Sequence, residues 1–283
     1  MRLATIPTET GTRAVRVDGD DLVALPYPDV ASLLSDANWR TSGMAGGVVV
    51  PGGASLLGRV PVVRPNKTVC VGLNYRGHIE EIGETTPRYP TLFAKFSDSL
   101  TGANSAIGIP SVSTSVDWEA ELGIVIGAPA HRVEPSDAMA YVAGMTVVND
   151  VSMRDWQSRT SEWFAGKNFE ATTPVGPALV TLDELDDPLD LGITCEVDGV
   201  VMQQARTSDL LFGIADLISY ISTFTTLQPG DLIATGTPSG VAAGRIDKPF
   251  LRAGQVATVT IEGVGSCRNE FYAEAVPAQT HVS

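Results

Sequence analysis

The sequence has few cysteines and no long apolar segment. Its 283 residues include three cysteines, Cys70, Cys195 and Cys267, and no Cys-x-x-Cys pair. An odd number of isolated cysteines argues against a disulfide framework and against a cysteine-ligated zinc ion. No stretch approaches the ~18 uncharged apolar residues of a membrane helix, and the first fifteen residues lack the apolar core of a secretory signal. We therefore expect a cytoplasmic protein that contacts no membrane.

Basic residues are also scarce. There are 19 lysines and arginines against 33 aspartates and glutamates, which gives a formal net charge of −14. A charge of this sign repels polyanions at long range, so nucleic acid and anionic membrane surfaces are disfavoured as partners. A small anionic substrate remains compatible with the charge if lysine and arginine side chains gather in one pocket.

Two common catalytic motifs are absent. The sequence contains no Gly-x-Ser-x-Gly nucleophile elbow and no Gly-x-x-x-x-Gly-Lys-Ser/Thr loop. Both motifs carry their chemistry through a fixed strand–turn–helix geometry. Their absence disfavours a serine hydrolase of that type and a nucleotide-triphosphate-binding protein.

Short strand-like segments dominate the chain and do not alternate regularly with helices. Asp-Gly at 18–19 and 198–199 and Glu-Gly at 262–263 lie between such segments and predict hairpins. Apolar residues recur at helical spacing over 214–221. These patterns predict an α+β, mainly β fold. A stretch dense in glycine and proline, 48–69, predicts a boundary between a small N-terminal domain, 1–62, and a main domain, 63–283.

Two glutamates one residue apart, Glu119 and Glu121, lie in the segment "SVDWEAELGIVIG". If 116–127 is a strand, both carboxylates point to one face and the even-numbered apolar residues from Trp118 to Ile126 point to the other. Asp150 follows a second strand-like run that ends at Asn149. Three carboxylates without histidine or cysteine form an oxygen-rich set that suits Mg²⁺, Mn²⁺ or Ca²⁺. A solvated strand face is the alternative interpretation of the glutamate pair.

The sequence contains three histidines, His78, His131 and His281. His78 precedes Glu81 by three residues, so one helical turn would place the imidazole beside the carboxylate. A carboxylate partner orients a histidine that acts as a general base on water. A surface pair is the alternative for His78 and Glu81, and we expect His131 and His281 to lie at the surface.

Six segments in this order resemble the fumarylacetoacetate hydrolase family: "GLNYRGHIEE", "LFAKFSDSLTG", "VDWEAELGIVIG", "AGMTVVNDVSMRDWQ", "WFAGKNFEATTPVGP" and "LQPGDLIATGTPSGV". The resemblance spans roughly residues 66 to 272. It implies a mixed β-roll catalytic domain with a small N-terminal domain, assembled as a homodimer. It also implies an enzyme of aromatic-compound catabolism.

The resemblance assigns roles to nine residues of this sequence. Its metal ligands, which hold Mg²⁺ or Mn²⁺, match Glu119, Glu121 and Asp150, and its catalytic dyad matches His78 and Glu81. Its active-site lysine matches Lys167, and its substrate-contacting residues match Arg154, Gln157 and Thr237. Lys95 lies in a family-like segment and receives no role.

One feature of the larger family members is missing. They have a fourth acidic metal ligand upstream of the catalytic histidine, and no aspartate or glutamate occupies a matching position here, since Asp21 and Asp29 lie too far upstream. The chain therefore resembles the shorter members, and fumarylacetoacetate itself is a disfavoured substrate.

The resemblance implies a divalent-metal-dependent hydrolase that cleaves a carbon–carbon bond in a 2,4-dioxo acid of the acylpyruvate or fumarylpyruvate type. The same metal site could serve a decarboxylase of an oxaloacetate-like acid, or an isomerase or tautomerase of 2-hydroxyhepta-2,4-diene-1,7-dioate. The substrate in each case is a small anionic oxo acid. A non-catalytic, metal-stabilised binding protein is the alternative from another class.

Overall fold

The computed structural model describes residues 1–275, so His281 lies outside the described residues. The strands are β1 Arg2–Thr8, β2 Gly11–Asp18, β3 Asp21–Ala24, β4 Thr68–Gly72, β5 Thr91–Lys95, β6 Leu100–Gly102, β7 Ile107–Ile109, β8 Val116–Asp117, β9 Ala120–Ile126, β10 Val142–Asn149, β11 Ser152–Met153, β12 Thr173–Val180, β13 Gly192–Val197, β14 Val200–Arg206, β15 Leu232–Ala234, β16 Val256–Ile261 and β17 Gly265–Ala273.

Short helices connect these strands. The α-helices are α1 Val30–Leu34, α2 Trp39–Gly43, α3 Arg76–Glu81, α4 Arg154–Gln157, α5 Phe164–Lys167 and α6 Ile214–Phe224. The 3-10 helices span Gly53–Leu56, Ser97–Ser99, Pro135–Tyr141, Leu182–Glu184, Thr207–Asp209 and Ala242–Gly244. The predicted α+β, mainly β class is confirmed. Within residues 1–275, no helix has the length and apolar character needed to cross a bilayer.

The larger sheet carries the candidate site. Its strand order is β3-β2-β1-β12-β10-β9-β15-β4-β5, with β6 added beside β12. The first three strands join this sheet through antiparallel pairing of β1 with β12. Backbone hydrogen bonds thus connect residues 1–24 to the same sheet as the later strands, while the division into domains at residue 62 stays a prediction.

The second sheet packs across the main core. Its order is β14-β13-β16-β17-β7. Leu122, Ile124 and Ile126 of β9 point into a cluster that also contains Ile193 of β13 and Val259 of β16. Burial of these side chains is the main apolar contribution to holding the sheets together.

The opposite face of β9 contacts a different part of the core. Val125 lies in a second cluster with Val148 of β10 and Leu33 of α1. The even-numbered and odd-numbered residues of β9 therefore point to opposite faces of the larger sheet. This is the alternation that the sequence predicts.

The predicted strand 116–127 is interrupted. β8 ends at Asp117 and pairs with β11, whereas β9 begins at Ala120. In the gap between β8 and β9, the backbone N–H groups donate to side chains instead of to a neighbouring strand. The Trp118 N–H donates to the Asp117 side chain at 2.8 Å, and the Glu119 N–H donates to the Asn149 side chain at 3.1 Å. Glu119 consequently lies in the gap between two strands.

Candidate active site

Glu119, Glu121 and Asp150 meet at the edge where β9 begins and β10 ends. Antiparallel pairing places Ala120 opposite Asn149, so the residues on either side of this pair become neighbours. All three carboxylates are buried, and one oxygen from each lies within 4.8 Å of the others. The structure thus brings together the three residues expected to bind metal. In the described residues 1–275, no fourth acidic side chain joins the group.

Cationic side chains surround two of these carboxylates. The Lys167 ammonium donates to Glu119 at 2.5 Å and to Asp150 at 2.8 Å. Lys95 donates to Asp150 at 2.6 Å and to the backbone carbonyl of Lys167. Arg154 contacts Glu119 at 2.7 Å. Burial acts to raise the pKa of Asp150, but Lys167 and Lys95 outweigh it and lower that pKa to about 2.

Glu121 differs from the other two carboxylates because no cationic side chain in the described part of the chain forms an ion pair with it. Its hydrogen-bond donor is the Gly236 N–H, at 3.0 Å. Burial, together with the charges of Asp150 and Glu119, raises the pKa of Glu121 well above its ordinary value. A buried carboxylate next to two others costs free energy unless a cation compensates it.

This donor set fits a hard divalent cation. It consists of carboxylate oxygens, which Mg²⁺ and Mn²⁺ prefer. Each carboxylate oxygen has two lone pairs, so the lysine and arginine contacts leave ligand capacity in the cluster. Glu121 is the carboxyl whose ionised form has no cationic partner among the described residues, and a bound cation would stabilise that form.

His78 and Glu81 form a pair on helix α3. The His78 Nδ1 lies 3.0 Å from the Glu81 Oε2, as the three-residue spacing predicts. The other Glu81 oxygen accepts from the Gly240 N–H at 2.9 Å. Burial acts to raise the pKa of Glu81, but the hydrogen bonds from His78 and Gly240 outweigh it, and the pKa lies below its ordinary value. The ionised Glu81 carboxylate is hydrogen-bonded to both His78 and Gly240, and it therefore holds the imidazole in one orientation. His131, by contrast, is exposed, as expected.

Residues 236–244 supply backbone donors to three acidic side chains. We call this segment the 236–244 loop. Its N–H groups donate to Glu121 from Gly236, to Glu81 from Gly240, and to Asp117 from Ala242 and Ala243. Gly240 has φ +101°, and a Cβ there would lie 2.0 Å from the Met202 carbonyl oxygen. Only glycine fits this backbone position.

One cavity of about 520 Å³ joins most of the predicted site residues. Those that line it are His78, Glu119, Glu121, Arg154, Gln157, Lys167 and Thr237. Asp150 does not line the cavity, but it accepts a hydrogen bond from Lys167, which does. Glu81 likewise does not line the cavity and contacts His78, which does. Apolar rings, among them Phe93, Trp163 and Phe250, form part of its wall.

Sequence reasoning missed two buried residues of the site. Lys95 is 5% exposed and contacts Asp150, although the family-like segment around it predicted no role for this residue. Asp117 is fully buried and contacts Arg154 at 2.8 Å. A signal for Asp117 was available, because Asp117, Glu119 and Glu121 follow one another at the two-residue period of a strand.

A family model and a curated relative match most of the chain. A family model described as "Fumarylacetoacetate (FAA) hydrolase C-terminal" matches residues 67–272. The mitochondrial oxaloacetate tautomerase Fahd2a of Rattus norvegicus is 45% identical over 211 residues, which cover 74% of this chain and 67% of that protein.

Two solved structures are similar over much or all of their length. The 5-carboxymethyl-2-hydroxymuconate delta-isomerase from Mycobacterium smegmatis is 33% identical with a TM-score of 0.80, covering 98% of this chain and 100% of that one. The fumarylpyruvate hydrolase from Pseudomonas aeruginosa, solved in complex with Mn²⁺ and pyruvate, is 29% identical with a TM-score of 0.68. The match covers 75% of this chain and 91% of that one.

Proposed function

Because the chain belongs to the fumarylacetoacetate hydrolase family, we propose that it is a divalent-metal-dependent hydrolase that cleaves a carbon–carbon bond in a 2,4-dioxo acid of the acylpyruvate type. The observation that carries this proposal is the shared cavity. It places His78, the carboxylates of Glu119 and Glu121, and the cations Arg154 and Lys167 around one volume of about 520 Å³.

Glu119, Glu121 and Asp150 would hold Mg²⁺ or Mn²⁺. The bound ion acts as a Lewis acid that stabilises negative charge on the oxygens of a 2-oxo acid. Support comes from the buried, uncompensated carboxylate of Glu121 and from the Mn²⁺ in the similar fumarylpyruvate hydrolase.

His78 would act as the general base. Its Nδ1 is held by Glu81, which leaves Nε2 to accept a proton from a water molecule that attacks the acyl carbonyl. Glu81 stabilises the imidazolium that forms. The proton can then pass to the carbon that leaves as the enolate of pyruvate, so that acylpyruvate and water yield pyruvate and a carboxylic acid.

The polar lining residues have donors available for the substrate. Gln157 accepts from Arg154 through Oε1, so its amide N–H groups remain for a substrate oxygen. The Thr237 oxygen accepts from Gln203 at 2.8 Å, which leaves the Thr237 hydroxyl hydrogen to donate. Lys167 would stabilise the developing oxyanion, and Arg154 would bind a carboxylate.

The size and wall of the cavity favour a substrate with an acyl group. Its volume of about 520 Å³ falls within the roughly 300–1,000 Å³ of pockets that hold drug-sized ligands, more room than a four-carbon acid requires. Phe93, Trp163 and Phe250 provide apolar surface for the part of the substrate that extends away from the acidic cluster.

Tautomerisation of an oxaloacetate-like acid is the second candidate function. The rat relative at 45% identity is named an oxaloacetate tautomerase. The same base and acidic cluster could move a proton between the carbon and oxygen of an enol without a water nucleophile. The cavity volume favours the larger substrate, whereas this relative's name favours the smaller one.

Product analysis separates the two reactions. We would incubate the Mg²⁺-loaded protein with an acylpyruvate, fumarylpyruvate and oxaloacetate, with matched EDTA samples. Hydrolysis releases one pyruvate and one carboxylic acid per substrate consumed. Tautomerisation changes the ultraviolet absorbance of oxaloacetate without releasing pyruvate. If no 2,4-dioxo acid is cleaved and oxaloacetate enol decays faster with the protein without release of pyruvate, the hydrolase proposal is wrong and the tautomerase is correct.

A further inference from the structure

Asp117 is a buried carboxylate outside the acidic cluster, and both of its oxygens are fully used. Oδ1 accepts from the N–H groups of Trp118 and Ala242, each at 2.8 Å. Oδ2 accepts from the Arg154 Nε at 2.8 Å and from the Ala243 N–H at 2.9 Å. With 0% exposure, the Asp117 charge is balanced inside the protein mainly by Arg154.

The nitrogens of the Arg154 guanidinium differ in whether they have a hydrogen-bond partner. Nε donates to Asp117, and Nη1 donates to Gln157 at 2.9 Å and contacts Glu119 at 2.7 Å. Nη2 is buried and has no hydrogen-bond partner among the described residues. A guanidinium is planar and carries five N–H donors in fixed directions, so fixing Nε and Nη1 also fixes the direction of Nη2.

Asp117 also connects Arg154 to the 236–244 loop. Asp117 accepts hydrogen bonds from the N–H groups of Ala242 and Ala243, which belong to this loop. Ala243 also lines the cavity, as Arg154 does. β8 has two residues and pairs with β11, which directly precedes Arg154. A single carboxylate therefore connects the guanidinium and one wall of the cavity.

We propose that Asp117 is a positioning residue that holds the Arg154 guanidinium at the wall of the cavity in the orientation that binds the anionic substrate. This role rests on the proposed function, in which Arg154 binds a carboxylate. Asp117 touches no substrate atom itself. It acts by excluding the other rotations of the guanidinium and by keeping the cavity wall at a constant distance from it.

The chain offers a matched control for the test. Asp231 is 1% exposed, accepts from the backbone N–H groups of Lys67 and Gln228, and pairs with the Lys67 ammonium at 3.0 Å. It therefore resembles Asp117 in burial and in having one cationic partner, but its partner Lys67 does not line the cavity, whereas Arg154 does. Asp117→Asn and Asp231→Asn should both lower the melting temperature.

Substrate binding should distinguish the two variants. We expect Asp117→Asn to raise KM for an acylpyruvate, and Kd for pyruvate measured by calorimetry with Mg²⁺, by roughly 10- to 100-fold, since small displacements of a binding group cost this much. kcat should change less. Asp231→Asn should leave KM and Kd unchanged. Equal effects of the two variants on KM and Kd would show a merely structural role and overturn the proposal.

A double-mutant comparison tests whether Asp117 acts through Arg154. In an Arg154→Met background, adding Asp117→Asn should produce no further rise in KM, whereas independent roles would give multiplied effects. Multiplied effects would contradict the positioning role.

A readout that does not need turnover keeps this proposal separable from the proposed function. In protein labelled with ¹⁵N-arginine, the Arg154 Nε–H signal, assigned by its loss in Arg154→Met, should exchange slowly with water in the wild-type protein. Asp117→Asn should abolish this protection, and Asp231→Asn should keep it. A fast-exchanging signal in the wild type overturns the proposal even if Asp117→Asn does not fold. A protected signal without pyruvate binding or turnover would instead count against the proposed function.

Discussion

At the scale of single residues, the three buried carboxylates of the site differ in how many cationic side chains they contact. Glu119 and Asp150 each contact two cationic side chains. Glu121 contacts none among the described residues, and its hydrogen-bond donor is the Gly236 N–H. The three carboxylates therefore differ in what they contribute to the metal-free protein, although they are expected to bind the same ion.

Replacing the Glu121 carboxyl with an amide should stabilise the metal-free protein. Folding raises the pKa of Glu121, so at neutral pH the ionisation of this carboxyl in the unfolded chain opposes folding. Glu121→Gln removes this effect, and the melting temperature in EDTA should rise by a few degrees, equivalent to about 1 kcal/mol. Affinity for Mg²⁺ should fall at least about tenfold. Differential scanning calorimetry with EDTA and with Mg²⁺ measures both effects.

Glu119→Gln is the control for this prediction. It removes one of the two carboxylate partners of both Arg154 and Lys167, so it should lower the melting temperature in EDTA while also weakening Mg²⁺ binding. If the two glutamine variants shift the melting temperature in the same direction, the charge distribution described for the site is wrong.

Replacing His78 should affect catalysis without affecting metal binding. His78→Asn removes the proposed base, and a general base contributes roughly 10²–10⁴-fold to a rate. We expect kcat to fall by about this factor while Kd for Mn²⁺, measured by calorimetry, stays constant, since His78 contacts Glu81 and none of the acidic cluster. Undiminished turnover would rule out His78 as the base.

At the scale of structural elements, the 236–244 loop connects the acidic cluster, the His78–Glu81 pair and Asp117. Its backbone N–H groups reach side chains from β8, β9 and α3. The loop lies more than a hundred residues from each of these side chains in the sequence, so its N–H groups connect them through long-range contacts. The glycines of the loop allow its backbone to approach them closely.

Gly240 should be essential for this arrangement. Gly240→Ala would place a Cβ 2.0 Å from the Met202 carbonyl oxygen at φ +101°, so the loop must move and the N–H bond to Glu81 should be lost. Gly254→Ala has a similar positive φ, +89°, with no atom within 4 Å of the added Cβ. Both variants should lose stability from backbone strain, about 1–2 kcal/mol.

Turnover distinguishes these two alanine variants. We expect Gly240→Ala alone to lower kcat, by at least about tenfold, because only this change disturbs the residue that orients His78. Steady-state kinetics beside thermal unfolding provides the comparison. Equal kcat values for Gly240→Ala and the wild type would show that the loop does not position Glu81.

Local patterns predicted several elements, but they failed where distant side chains determine the backbone. Asp198-Gly199 lies at the turn of the β13–β14 hairpin, with both residues at positive φ, as the dipeptide predicts. Ile214, Leu217 and Ile221 lie on the buried face of α6, as their spacing predicts. Both signals are local, so they can be read from one sequence.

Long-range contacts explain what the sequence could not show. The break between β8 and β9 depends on Asn149, thirty residues from Glu119. The N–H groups of the 236–244 loop meet acidic side chains more than a hundred residues away. Nothing in a local pattern encodes such pairings. The acidic cluster was more accessible to prediction, because the strand period of Glu119 and Glu121 and the position of Asp150 after a strand-like run indicated it, and the family resemblance named the same residues.

At the scale of the whole molecule, a net charge of −14 surrounds a cavity that contains cationic side chains. The long-range field opposes the approach of an anionic substrate, whereas Arg154 and Lys167 attract it at short range. Salt screens the first effect more strongly, since the Debye length is about 10 Å at 0.1 M and buried charges are screened less.

The rate constant kcat/KM for an anionic substrate should therefore rise modestly when ionic strength increases from about 10 to 150 mM. Stopped-flow or steady-state kinetics in sodium chloride at constant Mg²⁺ measures this dependence. A steep fall of kcat/KM with salt would mean that exposed positive charge governs substrate capture, contrary to the charge distribution described here.

The position of the metal ion is the most direct test of the proposed chemistry. Anomalous diffraction at the manganese edge from crystals soaked in Mn²⁺ should show one strong peak bonded to oxygens of Glu119, Glu121 and Asp150, facing the cavity beside His78. A peak elsewhere, or no peak at these carboxylates while Mn²⁺ supports turnover, would contradict the assignment of this cluster as the catalytic metal site.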